Sequence, residues 1–301
     1  MIRTVVAGLD GSSESRAAAE WAAREAELRG LPLKIVHVWE PAPEPMAQAP
    51  LLGTETQRHW SERVPREAAE VMRRRHPGVE LTTEHLTGAP ADTLLKAAAD
   101  AELLVLGSRG LGGFGGFMVG SVGLSVVAHA ERPVVLVRAG EQAADEHEPD
   151  QAGIPSAATP YHPVLLGLDA ASPADPVIEF AFEEAARRNT GLRVIHGWNL
   201  PPYYVYGLTA DTQLHDEIAR QHAAVLAEAL RPWRQKHPNV EVTEATPSGS
   251  PGIRLVDASH TASLVVVGRR IRRSPFGAHI GPVTHTVLHH AAAPVAVIAH
   301  N

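Results

Sequence analysis

The densest chemical signal in the chain is Gly107-Ser108-Arg109-Gly110, then nine residues, then Gly120-Ser121. Glycine permits positive φ and close backbone approach, so several N–H groups can converge on one anion. A helix beginning near Ser121 adds unpaired N–H groups and the positive end of its dipole. Ser121 can cap that helix or offer its hydroxyl to a phosphate oxygen. A flexible glycine loop with an ordinary serine cap is the alternative reading of the same residues. Asp10, in Asp10-Gly11-Ser12-Ser13, is by itself ordinary helix-capping chemistry.

These residues need elements to hold them, and the hydrophobic pattern supplies alternating strands and helices. Strands are expected at Thr4–Leu9, Leu33–Val38, Val79–Leu86, Leu103–Leu106 and Val134–Val137. Helices are expected at Ser15–Arg29, ending at Gly30, and at Val64–Arg75, Ala91–Ala99 and Ser121–Ala130. Alternation of this kind implies a mostly parallel sheet covered on both faces, and right-handed crossovers make it doubly wound. Ligands of such sheets bind beyond the strand C-termini, where Asp10, Val38 and Gly107 all fall.

The pattern occurs twice. Val5-Val6-Ala7-Gly8-Leu9-Asp10 aligns with Leu165-Leu166-Gly167-Leu168-Asp169, and Leu33–Trp39 with Leu192–Trp198. His76-Pro77-Gly78-Val79-Glu80 aligns with His237-Pro238-Asn239-Val240-Glu241, and Pro133–Val137 with Pro294–Ile298. The expected fold class is therefore α/β, with two tandem doubly wound, mostly parallel five-stranded sheets of Rossmann-like type. The expected domains are 1–140 and 161–301. A solvated linker over 141–160 is expected from its polar composition and missing apolar period.

A formal charge of −7 argues against a non-specific binder of nucleic acid or anionic membrane. The absence of cysteine excludes disulfides, thiolate metal sites and cysteine nucleophiles. No signal peptide and no apolar run of membrane length are evident, so a cytoplasmic location is expected.

The glycine spacing after the fourth strand resembles the universal stress protein family, in its ATP-binding branch. The Asp after the first strand, His37-Val38 at the end of the second and the turn Gly88-Ala89-Pro90 match as well. The resemblance covers both copies, and the tandem arrangement looks like the two-domain stress proteins of actinobacteria. It implies that Asp10 lies near ribose and phosphates, through Mg²⁺ if a metal is present, and that Val38 offers backbone contacts to adenine. It implies that Gly107, Ser108, Arg109, Gly110, Gly120, Ser121 and Val122 surround the phosphates of ATP. The implied protein is a stress-responsive regulator whose conformation or assembly ATP biases, with a homodimer and a protein partner of unknown identity among its assemblies.

The second copy departs from this pattern. Its loop reads Gly268-Arg269-Arg270-Ile271, nine residues, then Gly281-Pro282. β-Branched Ile271 disfavours positive φ, and Pro282 removes an N–H and a hydroxyl. Gly197 stands where Val38 stands in the first copy, leaving an adenine pocket less defined. A weaker second site would comprise Asp169, Gly197, Gly268, Arg269 and Gly281. Either this copy has lost nucleotide, or Arg269, Arg270, Arg272 and Arg273 replace the missing N–H groups as an anion site.

Other signals are weaker. His279-Ile280-Gly281-Pro282 is similar to the HIGH motif of class I nucleotidyl transferases but ends in proline and follows the wrong strand. His285 and His289 share a helix face without a third ligand. No general base is evident, so slow Mg-dependent ATP hydrolysis or nucleotidyl transfer is the rival function, and a nucleotide-free interaction scaffold the third.

Overall fold

The computed structural model describes residues 3–40, 54–108, 119–199, 212–271 and 280–301, with 54–62, 212, 214 and 215 described by backbone only. The chain forms two compact units, Met1–Gln142 and Ala143–Asn301.

In the first unit the strands are β1 (Val5–Gly8), β2 (Leu33–Trp39), β3 (Leu81–Thr87), β4 (Leu103–Ser108) and β5 (Val134–Arg138). All pair in parallel, in the order β3-β2-β1-β4-β5. The β-branched and leucine side chains of β1, β4 and β5 and most of those of β2 are buried because helices cover both faces, so these strands read as apolar runs, whereas β3 at the end of this order is half-exposed and polar. The helices are α1 (Ser13–Arg29), α2 (Thr54–Arg75), α3 (Pro90–Ala97) and α4 (Ser121–His129). Ser12 begins α1 by accepting a hydrogen bond from the Ser15 N–H, and Gly30 ends it at φ 61°. The small side chains of Ala18, Ala22 and Ala26 let α1 lie close to the sheet, with Trp21 fully buried beside them. α2 starts at Thr54, ahead of the expected Val64, and carries Pro65 inside it. Proline deletes one backbone bond without obliging the helix to stop there.

The second unit repeats this plan. Strands β6 (Val164–Gly167), β7 (Leu192–Ile195), β8 (Val242–Ala245), β9 (Leu264–Arg270) and β10 (Val295–His300) run parallel in the order β8-β7-β6-β9-β10. Its helices are α5 (Asp175–Arg187), α6 (Thr212–Lys236), α7 (Pro251–Ala258) and α8 (Pro282–His290). In both units the strand order reverses between the first and fourth strands, which opens a crevice at the strand C-termini.

The stretch expected as a linker is folded from Ala143 onward and clusters with the second unit. Ala143–Glu146 form a 3-10 turn, Glu146 is buried, and His147 pairs with Tyr161 in an antiparallel bridge. Asp150 Oδ1 accepts from the Ala152 and Ile154 N–H groups, and the Thr159 hydroxyl donates to Ser156 O. Side-chain hydrogen bonds to nearby backbone order such a segment without any apolar period.

Candidate functional site

In the first unit a cavity of about 270 Å³ opens at the C-terminal ends of β1, β2 and β4. Of the residues the sequence singled out, Asp10, Val38, Gly107, Gly120, Ser121 and Val122 line it. Ser108 does not. It is buried at the end of β4, and its hydroxyl donates to the Val137 carbonyl at 3.2 Å. Arg109 and Gly110 lie outside the described residues.

Asp10 is held by an Asx-type turn rather than by capping α1. The Ser12 N–H donates to Asp10 Oδ1 at 3.0 Å, the Ser12 hydroxyl donates to the same oxygen, and Ser12 is itself the cap. Burial works to raise the Asp10 pKa. Hydrogen bonds from the Ser12 hydroxyl and backbone and from Ser15 outweigh it, leaving the carboxyl below its ordinary value. A fixed negative charge therefore stands at one end of the cavity.

Val38 contributes its backbone edge. The Leu9 N–H donates to Val36 O at 2.9 Å, so the β1-facing groups of β2 are those of Val36 and, two residues on, Val38. β1 ends at Gly8 while β2 continues to Trp39. The N–H and C=O of Val38 thus face the cavity beyond the end of β1.

α4 supplies the opposite wall. Its N-cap is Gly120, in extended backbone at φ −64°, with no side-chain cap. The first N–H of this helix bonded to a helical carbonyl belongs to Leu124, which donates to Gly120 O at 3.0 Å. The N–H groups of Ser121, Val122 and Gly123 point from the helix start toward the cavity these residues line.

The two described glycines of the loop motif do not act through positive φ. Gly107 and Gly120 are both absent from the positive-φ residues. Gly107 is glycine because a Cβ there would sit 2.5 Å from Glu14 C and 2.7 Å from Ser15 N, in the backbone at the start of α1. The sequence reading also missed Ser12, Glu14, Ser15, Pro90 and Leu94 as lining residues. A signal for Pro90 existed in the turn at Gly88, whose φ of 145° presets the entry to α3. Beneath the cavity, on the other sheet face, buried His37 stacks on His85 at 5.3 Å. Burial, then His85, lowers the His37 pKa against the opposing pull of Asp10.

The second unit has a cavity at the equivalent crevice, about 330 Å³ in volume. Asp169, Gly197 and Gly268 line it, whereas Arg269 and Gly281 are not among the lining residues. Arg269 is buried within β9, Gly281 is the N-cap of α8 at φ −62°, and Arg270 donates to the Ser172 hydroxyl at 3.0 Å. Arg272, Arg273 and His279 lie outside the described residues. Gly197 does not leave a gap. A Cβ there would lie 2.7 Å from Pro251 Cα, so the start of α7 closes in where valine would stand. The Leu168 N–H donates to Ile195 O, which turns the backbone groups of Gly197 toward this cavity, like those of Val38.

The polar groups differ more. Asp169 Oδ1 accepts from the Ala171 N–H at 3.2 Å. Pro282 opens α8 without an N–H, and the Thr284 hydroxyl donates to Gly268 O at 2.8 Å. His196 Nδ1 lies 3.2 Å from the Ala170 N and 3.1 Å from the Leu168 carbonyl oxygen, and its Nε2 lies 3.0 Å from His222 Nδ1. His222 stacks on Trp198 at 4.9 Å. Exposed His285 lies with its ring 4.4 Å from that of His289. Among the described residues, no three His, Cys, Asp or Glu side chains converge on a metal position. Among the same residues no helix is long and apolar enough to cross a membrane.

Paired doubly wound units with a crevice at each switch point place the chain among nucleotide-fold proteins of parallel α/β type. Comparison with known proteins narrows this. The model of the universal stress protein family matches residues 1–138 and 160–299. A universal stress protein of Mycolicibacterium smegmatis is 33% identical over 304 residues, covering 98% of this chain and 96% of its own. One from Mycobacterium tuberculosis is 33% identical over 300 residues, at 97% and 95% coverage. The crystal structure of a universal stress protein from Archaeoglobus fulgidus superposes with a TM-score of 0.68 at 18% identity, covering 99% of this chain and 98% of that one, a likeness of fold. The chain belongs to the universal stress protein family, as a tandem two-domain member.

Proposed function

We propose that the first unit binds ATP and that the occupied state biases the conformation or assembly of a stress-response regulator, including formation of a homodimer. The observation that carries this reading is the uncapped start of α4. Ser121, Val122 and Gly123, whose N–H groups open that helix, line a cavity whose other end presents the backbone edge of Val38. Helix starts of this kind favour phosphate through their free donors and dipole. The backbone pair at Val38 suits the donor–acceptor edge of adenine. Asp10, held ionised, would face a Mg²⁺ carried by the phosphates; such an ion would neutralise phosphate charge. A ligand that binds two conformations unequally shifts their balance, which is all a regulator requires.

Mass spectrometry of freshly purified, denatured protein should find ATP, and Ser121→Pro, which imposes the second unit's helix start, should weaken ATP binding about tenfold. Undiminished affinity in that variant, or none in the natural chain, overturns the reading. Single-turnover assays with Mg-ATP should show product release slower than about one per second; faster release would make the protein an enzyme.

A further inference from the structure

The second unit carries histidines on α8 that no crevice uses. This helix turns Thr284, Val287 and Leu288 to the interior, where all three are buried. Beside them stand His285, exposed, and His289, half-buried, one helical turn apart. The aligned positions of the first unit hold Leu124 and Ala128, so the same helix forms there without an imidazole at either place.

The two rings are set for chelation. Their centroids lie 4.4 Å apart. Two imidazoles bound to one ion at about 2.1 Å would hold their centroids roughly 4.5 Å apart at a right angle, and roughly 5 Å apart at a tetrahedral one. A right angle between nitrogen donors is the preference of Cu(II) and Ni(II), whose remaining positions water fills. His290 does not join the pair, since its ring lies 6.4 Å from that of His289. Burial, then His289 and His290, holds the His285 pKa below its ordinary 6.5, and no carboxylate is among the groups that shift it. At neutral pH His285 is therefore the neutral imidazole that a metal requires.

We propose that His285 and His289 clamp one late first-row divalent cation, Cu(II) or Ni(II), on α8, each giving one ring nitrogen. The clamp closes over the turn that follows Val283 and Thr284, which line the second cavity. An ion held there stiffens one wall of that cavity. The inference stands on α8 alone and is independent of the ATP reading of the first unit.

Isothermal titration of the full chain, free of any histidine tag, with Ni²⁺ as probe tests this. The chain has 17 histidines, so comparison with variants decides, not binding by itself. One Ni²⁺ should bind tightest per chain, Mg²⁺ should not displace it, and its binding should raise the melting temperature. His285→Leu and His289→Ala install the first unit's own residues, and each should weaken that binding about tenfold or more. His290→Ala should leave it unchanged. Melting temperatures without metal check that the variants fold; if His285→Leu does not, His285→Gln carries the test. Pulsed EPR of the chain loaded with one equivalent of Cu²⁺ should count two imidazoles, and one in His285→Gln. Unchanged affinity in the His285 and His289 variants, an equal loss in His290→Ala, a single imidazole on the natural chain, or one ion shared by two chains would each overturn the inference.

Discussion

At the ends of β4 and β9 the two units fill the same space with different matter. Over Gly107 lies the backbone of Glu14 and Ser15; over Gly268 lie the side chains of His300 and Val177. In the first unit α1 begins at Ser13, three residues after Asp10, and is capped by Ser12. In the second, Ser172-Pro173-Ala174 delay the start of α5 to Asp175, with no side-chain cap. The later start withdraws the helix end from the strand and admits an imidazole. The difference in what lines the two cavities thus follows from where a helix begins.

The strongest way to break the parallel between the units is through a feature they share. Each first helix ends on a buried i,i+4 ion pair, Glu25–Arg29 and Glu184–Arg188. Glu184→Gln should cost about 4 kcal/mol in denaturant unfolding, because it takes a carboxylate from fully buried Arg188. Glu25→Gln should cost less, about 2 kcal/mol, since Arg29 keeps Glu102 at 3.4 Å. Equal losses would show that Glu102 does not compensate.

Next in size are the two glycines. Gly107→Ala drives a methyl into helix backbone and should destabilise by about 3 kcal/mol, whereas Gly268→Ala meets side chains that can turn away and should cost about 1 kcal/mol. The reverse order, measured by the same unfolding assay, would show that His300 is the more rigid neighbour.

Acid should loosen both units through imidazoles, one buried and one half-buried. His37 in the first and His222 in the second titrate below their ordinary 6.5, each lowered first by burial and then by a neighbouring histidine. The unfolded chain therefore takes up protons before the folded one does. Stability is complete above about pH 6.5 and falls as pH drops toward the folded values. The melting temperature should decline over that window, and His37→Gln should flatten part of the decline; an unchanged slope would remove His37 as a contributor.

The smallest effect sits where the first helices end. Gly30 takes φ 61°, and its counterpart Asn189 takes φ 49° as the one non-glycine at positive φ among the described residues. Asn189→Gly should raise stability by roughly 0.5 kcal/mol, and Gly30→Asn should lower it by a similar amount.

Much of the fold was legible before any coordinates. Buried parallel strands announce themselves as β-branched runs, and a chain aligned with itself shows where the second unit departs from the first. The sites were legible only in part. Spacing identified Gly107 as a glycine that matters and close backbone approach as one reason, but not its partner, because the start of α1 comes from another part of the chain. Ser108 spends its hydroxyl on the Val137 carbonyl of β5 rather than on the cavity, a contact across strands that a loop motif does not encode. His300 was invisible to local spacing: it reaches Gly268 through the pairing of β10 with β9, in which Ile298 sits opposite Gly268. Its one trace in the sequence is that the aligned position of the first copy holds Ala139.

The seat of Gly107 against Glu14 and Ser15 has a mechanical consequence. Backbone pressed on backbone has no rotamer to yield, so the turn that holds Asp10 and the strand that launches the glycine loop move as one piece. Any pull on the end of β4 would therefore tilt the start of α1 and carry the Asp10 charge with it. In the second unit the same pull can be absorbed by the rotation of one imidazole. The first crevice is built as a lever, the second as a cushion.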